Sequence, residues 1–490
     1  MKKHNRIISL IMAGLMLILS LSACSNGSDG TLENSDSQDT VLQETETANP
    51  MEEALNGIRN EVDWGGRDFG YLYVNHFGYA EEVEAQANMS ESTGSGVINN
   101  AVWERNTLFE EYGNLNFVLI RIDTDNATNH VLREVQSNTG DFQLVAQPKG
   151  YTAAQATTGV LYNYLDLEID YDNEWWDEGT LNFALNGSVY FMDGPFNILD
   201  DDVTYLMTFN KKLHADGGLA NPYDLVRSGE WTMDKFCSTV QGLSVDNGDG
   251  KWDEEDIYGL AVGGSLDTFF YAANLKFINS GRDMDQPELA MDASGMERAL
   301  NVLSMTRDIM HNNNTSYYGE EALTAFMEDR AYYLSWAALY LRTLNAQMEN
   351  EYGVIPAPKY DKNQLYYTSW SHSIGSTLSM PTTVGTLDTD SFASVLELYV
   401  LLSQKYVRPA YYDTMLTTRN VRDADSAEML KLVYSHRICD MAMYFSELGM
   451  FEIFHSSAIG VDKFASTYRR ATSTFDKRIS QILKKLYETS

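Results

Sequence analysis

The chain has 490 residues, 70 acidic against 35 basic, a formal net charge of −35, and 44% hydrophobic residues. Phosphate binding needs clustered cations, so this balance argues against nucleic acid and other polyanionic partners. The length exceeds one ordinary core and points to two lobes.

Residues 1–23, MKKHNRIISLIMAGLMLILSLSA, join a basic start to an apolar run and small residues, the pattern of an export signal. Its junction Leu21-Ser22-Ala23-Cys24 resembles the lipobox of bacterial lipoproteins, in which the cysteine carries lipid after cleavage. Removing the signal takes Lys2, Lys3 and Arg6, leaving 70 acidic against 32 basic side chains. From Ser25 to Val62 there is no aromatic residue and the first basic one is Arg59. Such a segment buries too little to offset its ordering entropy. Residues 24–62 are therefore expected to be a disordered acidic tether, reaching roughly 30 Å on average.

The body begins with FGYLYVNHFG, an alternating strand, followed by a helix through Val97, Val102, Leu108 and Phe109. Asn116–Ile122 is a β-branched strand and DFQLVAQ from Asp141 another, a strand–helix order that predicts an α/β fold with a mostly parallel sheet. TYLMTFNKKL from Thr204 reads as a further strand. The next helix places Met233, Phe236, Cys237, Val240 and Leu243 on one face, with Thr232 as its cap and Trp231 stapled onto Phe236. Phe392, Val395, Leu396, Tyr399, Leu402 and Tyr406 make one helical face, and Asp425 with Glu428 resembles a capping box. With Cys24 lipidated, Cys237 and Cys439 remain, read as small buried residues unless the fold brings them together.

Enzyme signatures are missing: there is no G-x-S-x-G elbow, H-E-x-x-H, C-x-x-C or P-loop. VDNGDGKWDEED sets Asn247, Asp249, Asp253 and Asp256 in a spacing close to a calcium loop, although Val245 replaces the first ligand. Calcium is one reading of it and a solvated acidic turn the other. The 30 tyrosines and eight tryptophans offer flat faces that stack on sugar rings, with neighbouring carboxylates and amides for the hydroxyls. NEWWDE, Asn173 to Glu178, supplies both in six residues.

Several separate stretches, in order, resemble extracellular solute-binding proteins, family 1, of bacterial ABC sugar importers. They are NNAVWERNTLFEEYG, EWWDEGTLNFALNGSVYFMDG, TFNKKLHADGGLANPYDLVRSGEWTMDKF, AFMEDRAYYLSW, YGVIPAPKYDKNQLYYTSW and the long run from Val407 to Phe445. The resemblance implies a two-lobed periplasmic-binding-protein-like fold (type II) with crossing strands and a ligand cleft. It divides the body into residues 63–203 with 375–410 and residues 204–374 with 411–490. The implied protein is a monomeric lipoprotein on the outer face of the membrane, which captures a carbohydrate and delivers it to a permease pair driven by an ATPase, without catalysis. Expected ligand contacts are Trp175, Trp176, Trp336, Tyr367 and Trp370 for stacking, and Asn173, Glu174 and Asp177 for hydroxyls. The competing readings are a secreted glycoside hydrolase and a glycan-binding surface protein.

Overall fold

In the computed structural model the described residues are 49–75, 79–86, 95–123, 126–176, 180–185, 187–284, 286–312, 314–416 and 424–488. The export signal, Cys24, the tether as far as residue 48, and Asp177 lie outside them.

Strand β1 (Asp68–Val74) is buried after its first residue and lies between β2 (Asn116–Ile122) and β3 (Leu144–Pro148), parallel to both. A strand covered on both faces needs the continuous apolar run that Phe69 to Val74 provides. After β4 (Phe191–Met192) the chain leaves this sheet for a second one, made of β5 (Tyr205–Asn210), β6 (Tyr258–Val262), β9 (Ser316–Tyr318), β10 (Ala331–Ala337) and β11 (Tyr352–Ile355). Between β6 and β9 a small ribbon pairs β7 (Ile278–Asn279) with β8 (Glu288–Leu289). The return passes through β12 (Ser369–Trp370) to β13 (Ser376–Ser379), which lies antiparallel between β3 and β4. Last, β14 (Arg437–Ile438) pairs with β12. The sheet orders are β2-β1-β3-β13-β4 and β11-β5-β10-β6-β9.

The two crossing segments touch: Thr204 bridges Ser371, and the His372 amide donates to the Val203 carbonyl at 3.1 Å. Helices 95–113 and 389–402 cover the first sheet, where Phe69, Phe109, Phe117 and Tyr399 interlock with ring centroids 5.1–6.5 Å apart. In the second, Thr232 caps helix Met233–Val240 by accepting from the Lys235 amide at 3.3 Å, and Trp231 meets Phe236 edge-on at 5.5 Å. Asn210 ends β5 and caps the next helix, Lys211–Asp216, so the strand expected through TYLMTFNKKL stops where its polar residues begin.

Two expectations are corrected. Residues 50–61, assigned to the tether, form a helix: Asn49 caps it, Pro50 stands where a missing N–H does no harm, and Leu55 is buried. Met51, Leu55 and Ile58 give it an apolar face against the first-sheet core, and Lys405 pairs with Glu52 at 2.8 Å. Asp425 and Glu428 make no capping box; helix Ala424–Ser435 has already begun, and their three-residue spacing aims both at Arg227. Cys237 and Cys439 are both free, and burial pushes each thiol up to about 12. Among the described residues no helix is long and apolar enough to cross a membrane.

Candidate functional site

Three adjoining cavities run along the junction of the two sheets' domains. The first, about 610 Å³, lies between Lys149, Phe183, Asp193 and Asp200 on one side and Tyr434, Arg437 and Tyr444 on the other. The second, about 410 Å³, shares Asn274, Arg437, Ile438 and Cys439 with it. The third, about 740 Å³, shares Ser280 with the second and opens between residues 171–174, Trp176 and Leu181 on one side and residues 280–284 on the other. Together they form one continuous groove, each part in the volume range of small-molecule sites.

The deep end is built on charge. Lys149 follows the last residue of β3, so the strand's end delivers it to the junction. Only 1% of its side chain is exposed; its Nζ lies 3.0 Å from Asp193, pairs with Asp200, and donates to Ser371 at 3.4 Å. Asp200, on the short crossing helix Ile198–Asp202, also accepts from Ser371, and Arg437 donates to Asp200 at 2.9 Å and Asp201 at 2.8 Å. The network therefore joins β3, both crossings and β14. Burial works against the charge on Lys149, but Asp193 and Asp200 raise its pKa. Burial and then Asp200 push Asp193 up, whereas Lys149 and Arg437 overcome burial and hold Asp200 below the ordinary carboxylate range. Across the cavity Phe183 and Tyr444 face one another at 5.2 Å, each within 6 Å of the Lys149 ammonium. Burial, then Lys149, lowers His372 to about 4, so its ring is neutral near pH 7.

The groove's mouth carries part of the set read from sequence. Asn173, Glu174 and Trp176 line the third cavity. Trp176 is 4% exposed and packs in the first-sheet core, meeting Tyr171 at 5.0 Å, but it borders the third cavity and its buried indole N–H finds no acceptor among the described residues. Arg282 spans the mouth to Asp172 at 2.7 Å.

The other tryptophans and Tyr367 are corrected. Trp175 is buried in the first-sheet core, its Nε1 donating to Glu397 at 3.1 Å. Trp370 is fully buried between Tyr205 at 4.8 Å and Tyr271 at 5.1 Å, its Nε1 donating to Thr268. Tyr367 is buried, its hydroxyl donating to the Val226 carbonyl at 3.2 Å. Each indole or phenol has an internal partner and a packed ring, which is core chemistry. Trp336 is half-buried and lines none of the three cavities; it leans over Gly263, where a Cβ would fall 1.8 Å from its ring, and meets Tyr340 at 4.0 Å.

Sequence reasoning missed Lys149, Asp193, Asp200, Arg437 and Tyr444. One usable signal was Lys149 itself, a rare cation directly after an apolar strand. The Asn247–Asp256 loop is elsewhere and folds on its own backbone. Buried Asp256 accepts from the amides of Asn247 and Asp253 at 2.8 Å, Asp249 from Lys251, and Asn247 from Asp249. Among the described residues no three His, Cys, Asp or Glu side chains could hold a metal ion.

No protein-family model matches the chain, and neither does any curated protein. Solved structures do. An ABC substrate-binding protein of Listeria monocytogenes in complex with cycloalternan matches at TM-score 0.53 and 11% identity, over 85% of this chain and 99% of that one. The GacH receptor of Streptomyces glaucescens, solved unliganded and with acarbose, matches at 0.52 and 12%, over 85% and 99%. UgpB of Mycobacterium tuberculosis, in complex with glycerophosphocholine, matches at 0.52 and 16%, over 86% and 99%. At these identities the likeness establishes the fold: this chain has the two-lobed, periplasmic-binding-protein-like architecture of ABC substrate-binding proteins.

Proposed function

We propose that this protein is the receptor of an ABC importer, capturing a carbohydrate, an oligosaccharide by the three joined cavities, between its lobes and handing it to a permease pair. The observation that carries this is the run of three joined cavities, the first and third lined from both lobes and the middle one from the second lobe. A solute touching both sides favours the closed arrangement over the open one, which is the coupling an importer needs. Tyr444 supplies a ring face, Trp176 an indole N–H with no acceptor among the described residues, and Asn173, Glu174 and Asp177 supply hydroxyl partners on this reading.

The reading includes no catalysis. Asp193 and Asp200 are the deep carboxylates, and both are ion-paired to Lys149. It also includes cleavage before Cys24, lipid attachment there, and residence of a monomer on the outer face of the membrane; release of a Cys24→Ala chain into the medium tests the anchor.

Thermal unfolding of the full chain against mono- and oligosaccharides tests the function. Ligand at a hundred times its Kd adds about 2.7 kcal/mol. For a body of this size that raises the midpoint by about 3 °C. A shift from one sugar, recovered intact, supports the receptor. Progressive loss of the intact sugar supports a hydrolase instead, and no shift from any sugar overturns the carbohydrate reading.

A further inference from the structure

The middle cavity runs against the charge of the molecule. Lys276, Arg298 and Arg437 line it, and among the described residues no carboxylate does, in a chain where acids outnumber bases two to one. Arg437 is shared with the deep network and anchored by Asp200 and Asp201. Arg298 is held differently: Nη1 donates to the Ala273 carbonyl at 3.3 Å and the guanidinium lies 4.7 Å over the Tyr360 ring. Neither contact neutralises it, and among the described residues neither Arg298 nor Lys276 pairs with a carboxylate. Of the nearby acids among the described residues, Asp440 feels the Lys276 charge but makes no ion pair with it, and its oxygens are taken by backbone amides. Asp440 accepts from the amides of Phe277, Ile278 and Ala442, and Asp292 caps the helix that begins at Ala293. Cations concentrated in a concave wall focus positive potential, and guanidinium groups match planar oxyanions with paired donors.

The geometry points to an anionic subsite: the middle cavity takes the carboxylate, sulfate or phosphate of an acidic oligosaccharide whose neutral parts lie in the flanking cavities. This rests on the receptor reading and names the class of its cargo. It also reconciles a strongly acidic protein with an acidic ligand. The net charge repels polyanions from the surface at large, while one screened cavity, about 410 Å³ and roomy enough for a charged ring, receives a single oxyanion.

The test is titration calorimetry of the full chain with three matched pairs: a trimeric uronate and its carboxyl-reduced form, and a sulfated and a phosphorylated trisaccharide, each with its neutral parent. The expected result is that one acidic member binds about tenfold or more tightly than its neutral partner, the scale of one charge-assisted contact. The pair that shows the gap identifies the oxyanion. The gap should narrow as salt is raised from about 20 mM to about 300 mM. It should shrink in Lys276→Gln and vanish in Lys276→Gln with Arg298→Gln. Neutral members binding as well as the acidic ones, or a gap that survives both substitutions, overturns the subsite and leaves the receptor standing. Binding by no oligosaccharide, neutral or acidic, removes the receptor reading and this inference with it.

Discussion

Replacing Lys149 with methionine tests whether the deep end of the groove is held by charge. The ammonium sits 3.0 Å from Asp193, bonds Asp200 and reaches Ser371, with 1% of the side chain exposed. Without it the two carboxylates face each other and Arg437 is the remaining cation of the network. Removing one partner from a buried ion pair costs about 3–5 kcal/mol. At about 2.1 cal/mol/K of unfolding entropy per residue, a body this large loses about 1 °C per kcal/mol, so the midpoint falls by about 3–5 °C near pH 7. The pH dependence fixes the cause. In the native protein Asp200 is held below its ordinary value, which is stability present above the unfolded Asp pKa and lost as pH falls through the lowered one. In Lys149→Met both carboxyls rise, so the folded state binds a proton that the unfolded state does not. The deficit is then greatest at pH 7–8 and narrows toward pH 5. Scanning calorimetry across that range reads it, and adding Asp193→Asn should restore about 1–2 kcal/mol by removing one of the opposed charges. A variant as stable as the native chain at pH 7.5, or a deficit unchanged with pH, would refute the reasoning.

Three further outcomes follow from local geometry. Leu55→Ala should cost about 2–3 kcal/mol in urea unfolding, because Leu55 is buried against the first-sheet core; no effect would return residues 50–61 to the tether. His214, between Phe209 at 5.1 Å and Tyr333 at 4.9 Å, is lowered by burial to about 4. The unfolded chain protonates first, so its stabilisation is lost as pH falls from about 6.5 toward 4, and His214→Phe should lose about 2.5 kcal/mol less than the native chain between pH 7 and pH 4.5. Equilibrium dialysis at millimolar calcium should return no ion on the Asn247–Asp256 loop, since Asp256 would have to give up two backbone amides; an ion lost in Asp256→Asn would overturn that.

The fold was legible because its signals are local and repeated. Phe69 to Val74, Asn116–Ile122 and the face running from Phe392 to Leu402 each announce an element by composition and period. Helix 50–61 was hidden by the acidic stretch around it, although Asn49-Pro50 was a readable start signal. The site was far less legible, and the reason is physical. Trp175, Tyr367 and Trp370 look like ligand platforms in a loop-rich sequence, but an aromatic ring with a polar atom satisfies a core equally well, and only the third dimension shows which polar atom already has a partner. Lys149, Asp200 and Arg437 are separated by up to 288 positions in sequence, and no spacing rule brings them together.

The same contacts show where the two lobes can part. At the deep end the junction is closed by the Lys149, Asp193, Asp200 and Arg437 network and by Phe183 against Tyr444, all buried but Arg437, whose side chain is 17% exposed. Opening there would expose buried charge, at several kcal/mol for each ion. At the mouth the link is Arg282 with Asp172, whose side chains are 43% and 67% exposed. An exposed pair of this kind contributes about 0–1 kcal/mol, less in salt. The energies therefore place the stronger link at the crossing segments at Thr204 and Ser371 and the weaker one between Asp172 and Arg282. On the receptor reading, closure would then depend on contacts a solute makes across the mouth rather than on any strong bond the protein already holds there.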